Sequence, residues 1–137
     1  MHTSGRLELS QKLKISVIDD DDLVREGIES LLRSLHHDVD TFASAAEHLE
    51  PNRVHDYSCI IADMQMPDMS GIDLQKRLSK DGFSIPIIFM SASPTEALTR
   101  RVMDAGAVGF LCKPFKIEYL IDYLGKALQK NPKKDSV

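Results

Sequence analysis

Residues 13–35 read LKISVIDDDDLVREGIESLLRSL. Ile15–Ile18 is a brief run rich in β-branched side chains, which predicts a strand. Leu23, Val24, Gly27, Ile28, Leu31, Leu32 and Leu35 recur at helical spacing, which predicts an amphipathic helix. Four aspartates, Asp19 to Asp22, lie between the two. Strand, acidic turn and helix make one βα unit, and the remaining chain repeats that unit.

Val39–Phe42 is a second short strand, and Ser44 followed by Glu47 is a capping-box pattern that predicts a short helix. Pro51–Tyr57 reads as a loop. Ser58–Ala62 is small or apolar throughout, as expected of a strand covered on both faces. MPDMSG (66–71) is a turn, and Ser70 with Asp73 caps a helix running to about Lys80. Ile85–Met90 is the fourth strand. Ser93-Pro94-Thr95-Glu96 predicts a helix with a Ser cap, Pro at the first helical position and Glu at the third. Leu98, Val102 and Ala105 should form its buried stripe. Gly109–Cys112 is the fifth strand, and Ile117, Leu120, Ile121, Leu124 and Leu128 the buried face of the last helix. Five βα units imply a parallel sheet with helices on both faces. Right-handed crossovers favour the doubly wound, flavodoxin-like order 2-1-3-4-5.

Size and composition fit that architecture. A chain of 137 residues is one domain's worth and buries a core without disulfides or structural metal. We expect a mobile arm over residues 1–12, one domain over 13–130, and a tail or linker stub over 131–137. No run is long enough to cross a bilayer, and MHTSGRLELS lacks the apolar centre of a secretory signal, so a cytoplasmic location is expected. The two cysteines, Cys59 and Cys112, sit in apolar runs without metal-ligand spacing and are read as reduced, buried strand residues. A net charge of −4 argues against direct nucleic-acid binding. His36, His37, His48 and His55 lie in or near turns and loops at no metal-binding spacing.

In a doubly wound sheet, ligands bind beyond the carboxyl ends of the strands, at the switch point. Asp19 and Asp20 follow strand one, Asp63 strand three, Ser91 strand four, and Lys113-Pro114 strand five. In the expected order these groups converge. Two carboxylates ~4 Å apart repel by roughly 4 kcal/mol at an effective dielectric of 20, so three need counter-charge. Lys113 supplies one positive charge. A hard divalent cation would supply more, and carboxylates, carbonyls and waters are the ligands Mg²⁺ prefers. A lysine and a metal beside an aspartate suit phosphoryl transfer to that carboxylate. Each residue also has a plainer use: Asp21 and Asp22 read best as helix capping and dipole complementarity.

Together, VIDDDD (17–22), ADMQMPDMSG (62–71), FMSA (89–92) and GFLCKPF (109–115) resemble the receiver domain of bacterial two-component response regulators, over about residues 13–130. The resemblance implies that Asp63 is the phosphoacceptor, that Asp19, Asp20 and the backbone carbonyl of Gln65 join it in holding Mg²⁺, and that Lys113 contacts the phosphoryl group. It implies a switch pair of Ser91 and Phe110, with Phe lacking the hydroxyl of the Tyr common there, and a cis Lys113-Pro114 peptide. Gln65 and Ser93 match positions that tune dephosphorylation. The implied function is phosphorelay signal transduction. A sensor histidine kinase phosphorylates Asp63, and a surface of the fourth helix, fifth strand and fifth helix then binds a partner, an output domain or a second copy of the chain. Passing phosphate onward to a histidine phosphotransfer protein is the alternative within that class.

Other classes fit less well. A Mg²⁺-dependent phosphatase with an aspartyl nucleophile would carry a second acid where Gln65 stands, so we expect no enzyme beyond self-directed phosphotransfer and autodephosphorylation. An EF-hand read from Asp19 fails, with Val24 where Gly is needed and Ser30 where the bidentate Glu is needed. No G-x-G-x-x-G follows a strand, which counts against dinucleotide binding.

Overall fold

A computed structural model describes residues 12–50 and 56–130. In chain order its elements are β1 (Lys14–Ile18), α1 (Asp22–Ser34), β2 (Asp38–Phe42), α2 (Ala45–His48), β3 (Cys59–Asp63), α3 (Gly71–Lys80), β4 (Ile87–Ser91), α4 (Glu96–Asp104), β5 (Gly109–Cys112) and α5 (Ile117–Lys130). The strands form one parallel sheet in the order β2-β1-β3-β4-β5, the doubly wound order expected from the alternation of elements. The expectations for the arm, for His55 and for the tail concern residues almost wholly outside the described ones. Among the described residues no helix is long and apolar enough to cross a membrane.

The sheet separates two apolar layers. Alternate side chains of each strand point to opposite faces. Thus Ile15, Val17, Cys59, Ile61, Ile88 and Met90 join Ile28, Leu32, Leu120 and Leu124 on the α1/α5 side. Ile18, Ile60, Ala62, Ile87 and Phe89 join Leu74, Leu78 and Val102 on the side of α2, α3 and α4. β3 and β4 are buried along their whole length, which is why both read as nearly continuous apolar runs. Each fully buried large aliphatic or Phe side chain contributes about 1.5–3 kcal/mol.

Side-chain caps set the starts of α1 to α4. Asp21 is extended and accepts from the N–H groups of Leu23 and Val24. Ser44 accepts from Glu47 N–H, and Ser70 from Asp73 N–H. Glu47 turns back to the N–H of Ala43, one residue short of a closed capping box. Each such cap is worth about 1 kcal/mol. α1 ends through His36, whose positive φ of 70° lets His36 N–H reach Arg33 O and His37 N–H reach Leu32 O. At Gly71 the chain passes so close to the core that an added Cβ would lie 2.7 Å from both Met64 Sδ and the Phe89 ring.

Several expectations are corrected. The cap of α4 is Thr95, which accepts from Leu98 N–H, so Pro94 lies outside the helix and Glu96 begins it. Ser93 does not cap the helix, and its N–H donates to Ser91 Oγ at 3.0 Å. β4 starts at Ile87 rather than Ile85, because Pro86 has no N–H to give to a ladder. β3 and β4 each run one residue further than expected, so Asp63 and Ser91 are terminal strand residues rather than loop residues. Ala105 is exposed, as are Leu23 and Gly27 on α1, and Ile117 and Ile121 on α5, where Ala127 takes the inward place. Cys112 is exposed at the end of the edge strand, while Cys59 is buried. His48 closes α2 in full burial, its Nδ1 2.9 Å from Ser16 Oγ and its ring against Phe42 and Tyr57.

Candidate functional site

Four strand ends meet at one edge of the sheet. Asp19 leaves β1, its N–H donating to Phe42 O at 3.1 Å, so β2 holds the exit in place. Asp63 ends β3, paired in register with Met90 of β4. Met64 N–H donates to Met90 O, and Gly71 N–H returns to Met64 O, which fixes the loop after Asp63. Lys113 follows β5 directly, with its N–H on Ser91 O at 2.8 Å, and the Lys113–Pro114 peptide is cis.

Lys113 ties the ends together. Its Nζ lies 2.7 Å from Asp19 Oδ2 and 3.0 Å from Asp63 Oδ2. The second oxygen of each carboxylate takes a backbone N–H: Asp21 N to Asp19 Oδ1 at 2.9 Å, and Gln65 N to Asp63 Oδ1 at 3.0 Å. Asp19 is fully buried and Asp63 nearly so, and such carboxylates persist only when paired and hydrogen-bonded. Burial alone would pull the Lys113 ammonium down, but the hydrogen bonds to Asp19 and Asp63 and their charges outweigh it and raise it above the usual lysine value.

Asp20 completes the group. It is exposed, yet one carboxylate oxygen from each of Asp19, Asp20 and Asp63 lies within 4.8 Å of the others. Three hard oxygen donors at that spacing could hold a cation of the Mg²⁺ or Ca²⁺ type, and each oxygen has lone pairs beyond those engaged by N–H groups. The other residues singled out from sequence are close in the fold but differently engaged. Ser91 is buried, with its hydroxyl accepting from Ser93 N–H. Phe110 is half-buried on β5, opposite Phe89 in register, and packs into the layer of α2, α3 and α4. The Gln65 side chain is exposed.

One residue at the site escaped the sequence reading. Arg25, on α1, donates from Nη1 to the backbone carbonyl of Asp19 at 2.6 Å and pairs through Nη2 with Asp22. Its spacing from Asp22 resembles any surface ion pair three residues apart on a helix, so only the reach back to Asp19 distinguishes it.

The fold agrees with the comparisons. The sequence model of the response regulator receiver domain matches residues 15–125, and the chain belongs to that family. It is 38% identical over 122 residues to the response regulator protein TodT of Pseudomonas putida, covering 89% of this chain and 54% of TodT. It is 38% identical over 107 residues to the transcriptional regulatory protein FixJ of Azorhizobium caulinodans, covering 78% of this chain and 51% of FixJ. Among solved structures, the response regulator StyR superposes with a TM-score of 0.82 at 42% identity, over 92% of this chain and 64% of StyR. The chain spans about half the length of the curated relatives it matches.

Proposed function

We propose that this receiver domain is a phosphorylation switch in which Asp63 takes a phosphoryl group from the phosphohistidine of a sensor histidine kinase. The observation that carries the reading is the single ammonium of Lys113 bridging Asp19 and Asp63 beside a third carboxylate. A carboxylate oxygen of Asp63 attacks phosphorus in line, the P–N bond to the donor imidazole breaks, and an acyl phosphate forms. Mg²⁺ held by Asp19, Asp20, Asp63 and the Gln65 carbonyl would neutralise charge on the phosphoryl oxygens. Lys113 loses its bond to the Asp63 carboxylate and takes a phosphoryl oxygen instead. The Ser91 hydroxyl gives up the bond it accepts from Ser93 N–H and donates its O–H to a second phosphoryl oxygen, and Phe110 turns within the space this opens. The resulting change on α4, β5 and α5 alters what that surface binds: an output domain, a separate partner or a second copy of the chain. The name of FixJ, a transcriptional regulatory protein, favours transcriptional control as the output.

The test is direct. Incubation with Mg²⁺ and acetyl phosphate should add one phosphoryl group by intact mass, and Asp63→Asn should abolish the adduct. The absence of any acid-stable, base-labile adduct with acetyl phosphate or with the cognate kinase would sink the proposal. Lys113→Ala should still accept phosphate, more slowly, but fail to switch its partner surface.

A further inference from the structure

We infer that Arg25 is a positioning residue for the cation site: by holding the Asp19 carbonyl it sets where the carboxylate of Asp20 stands relative to Asp19 and Asp63. The inference rests on the reading of that acidic cluster as a divalent-cation site.

The geometry goes beyond an ordinary helix ion pair. An exposed pair three residues apart contributes little and would leave the guanidinium in water. The Arg25 side chain is only 17% exposed, and its Nη1 leaves the helix to bond the carbonyl of Asp19, the first residue of the acidic turn. Asp19 is thereby held on both sides, by β2 through its N–H and by α1 through its carbonyl. That carbonyl oxygen and the N–H of Asp20 belong to one planar peptide unit, so fixing the first fixes the plane from which Asp20 departs. Among the described residues no hydrogen bond holds the Asp20 carboxylate, so its direction follows from this backbone. Asp19 and Asp63 have Lys113 and backbone N–H groups to hold them. Asp20 has the turn alone.

Charge and positioning predict opposite signs. As a bare positive charge near a cation site, Arg25 weakens cation binding, and deleting it should tighten the site. As a positioning residue, its loss should weaken binding by about ten-fold, the lower end for groups that orient metal ligands.

Isothermal titration calorimetry with MgCl₂ on the unaltered protein, Arg25→Met and Arg25→Lys decides between them. Met retains the aliphatic packing of the Arg stem without a donor. Mg²⁺ affinity should fall about ten-fold in Arg25→Met and less in Arg25→Lys, whose ammonium can still donate to the Asp19 carbonyl. Raising Mg²⁺ by the same factor should restore the rate of modification by acetyl phosphate, which a general loss of structure would not allow. Unchanged or tighter Mg²⁺ binding by Arg25→Met overturns the inference while leaving the site reading intact. Absence of Mg²⁺ binding by the unaltered protein overturns the site reading, and this inference with it. Should Arg25→Met fail to fold, Arg25→Gln is judged by the same criterion.

Discussion

Replacing Lys113 by Met removes one ammonium and strands two carboxylates. The Nζ lies 2.7 Å from Asp19 Oδ2 and 3.0 Å from Asp63 Oδ2. At an effective dielectric of 20 each contact is worth about 6 kcal/mol of gross attraction. Most of that is offset by the cost of desolvating the lysine, which the variant no longer bears. What remains is the penalty for buried charge without a partner, about 3–5 kcal/mol when one member of a buried pair is lost. Asp63 keeps some contact with water and Asp20 is exposed, so the lower end applies, about 3 kcal/mol. Urea unfolding in EDTA should show that loss as a lower midpoint at unchanged slope. Mg²⁺ should then stabilise the variant more than the unaltered protein, because it supplies counter-charge that Lys113 no longer provides. A loss under about 1 kcal/mol would refute the claim that Lys113 is the principal counter-charge of Asp19 and Asp63. Equal stabilisation of both proteins by Mg²⁺ would refute the claim that cation and ammonium neutralise the same charges.

Three further predictions concern other parts of the fold. Gly71→Ala should cost about 1–3 kcal/mol in urea unfolding, since its Cβ would press on Met64 and Phe89; a change below about 0.5 kcal/mol would mean the loop has room to move. His37 accepts Leu13 N–H at Nδ1, and burial, helped by the neighbouring His36, lowers its pKa below 6.5. The unfolded chain therefore binds this proton more readily, so stability present above 6.5 should be lost as pH falls from there toward the folded-state value; a His37→Asn variant with an unchanged slope between about pH 7 and 5.5 would contradict this. In native protein one thiol, Cys112, should react promptly with a thiol reagent, while Cys59, its pKa pushed up to about 12 by burial, should react only on unfolding; two fast thiols would exclude the described packing of β3.

The sheet and its order were legible in the sequence because parallel strands buried on both faces leave nearly uninterrupted apolar runs, as at Cys59–Ala62 and Ile87–Met90. The position of the candidate site was legible because topology alone brings the carboxyl ends of β1, β3, β4 and β5 together. What the sequence concealed was competition between neighbours. Ser93 and Thr95 both qualify as helix caps, and Thr95 prevails in a structure where Ser93 N–H is bound to Ser91 Oγ. Helical periodicity identifies the apolar stripe of α5 but not its width, so Ile117 and Ile121 read as buried when they lie at its margin. Cys112 looked internal because nothing local says that β5 is an edge. His48 and Arg25 were missed for a shared reason. Each is read by a partner off its own element, Ser16 Oγ in one case and the Asp19 carbonyl in the other, and no short-range pattern records such contacts.

The two apolar layers have a consequence for how such a chain can change over generations. Ile61 and Ile60 are adjacent in sequence, yet one belongs to the layer of α1 and α5 and the other to that of α2, α3 and α4. Substitutions in the two layers are separated by the backbone of the sheet and share few neighbours, so their effects should nearly add. Either side can then drift in shape without forcing compensating changes on the other. The carboxylates and the lysine are gathered at the strand ends where both layers stop, so drift within either layer need not displace them.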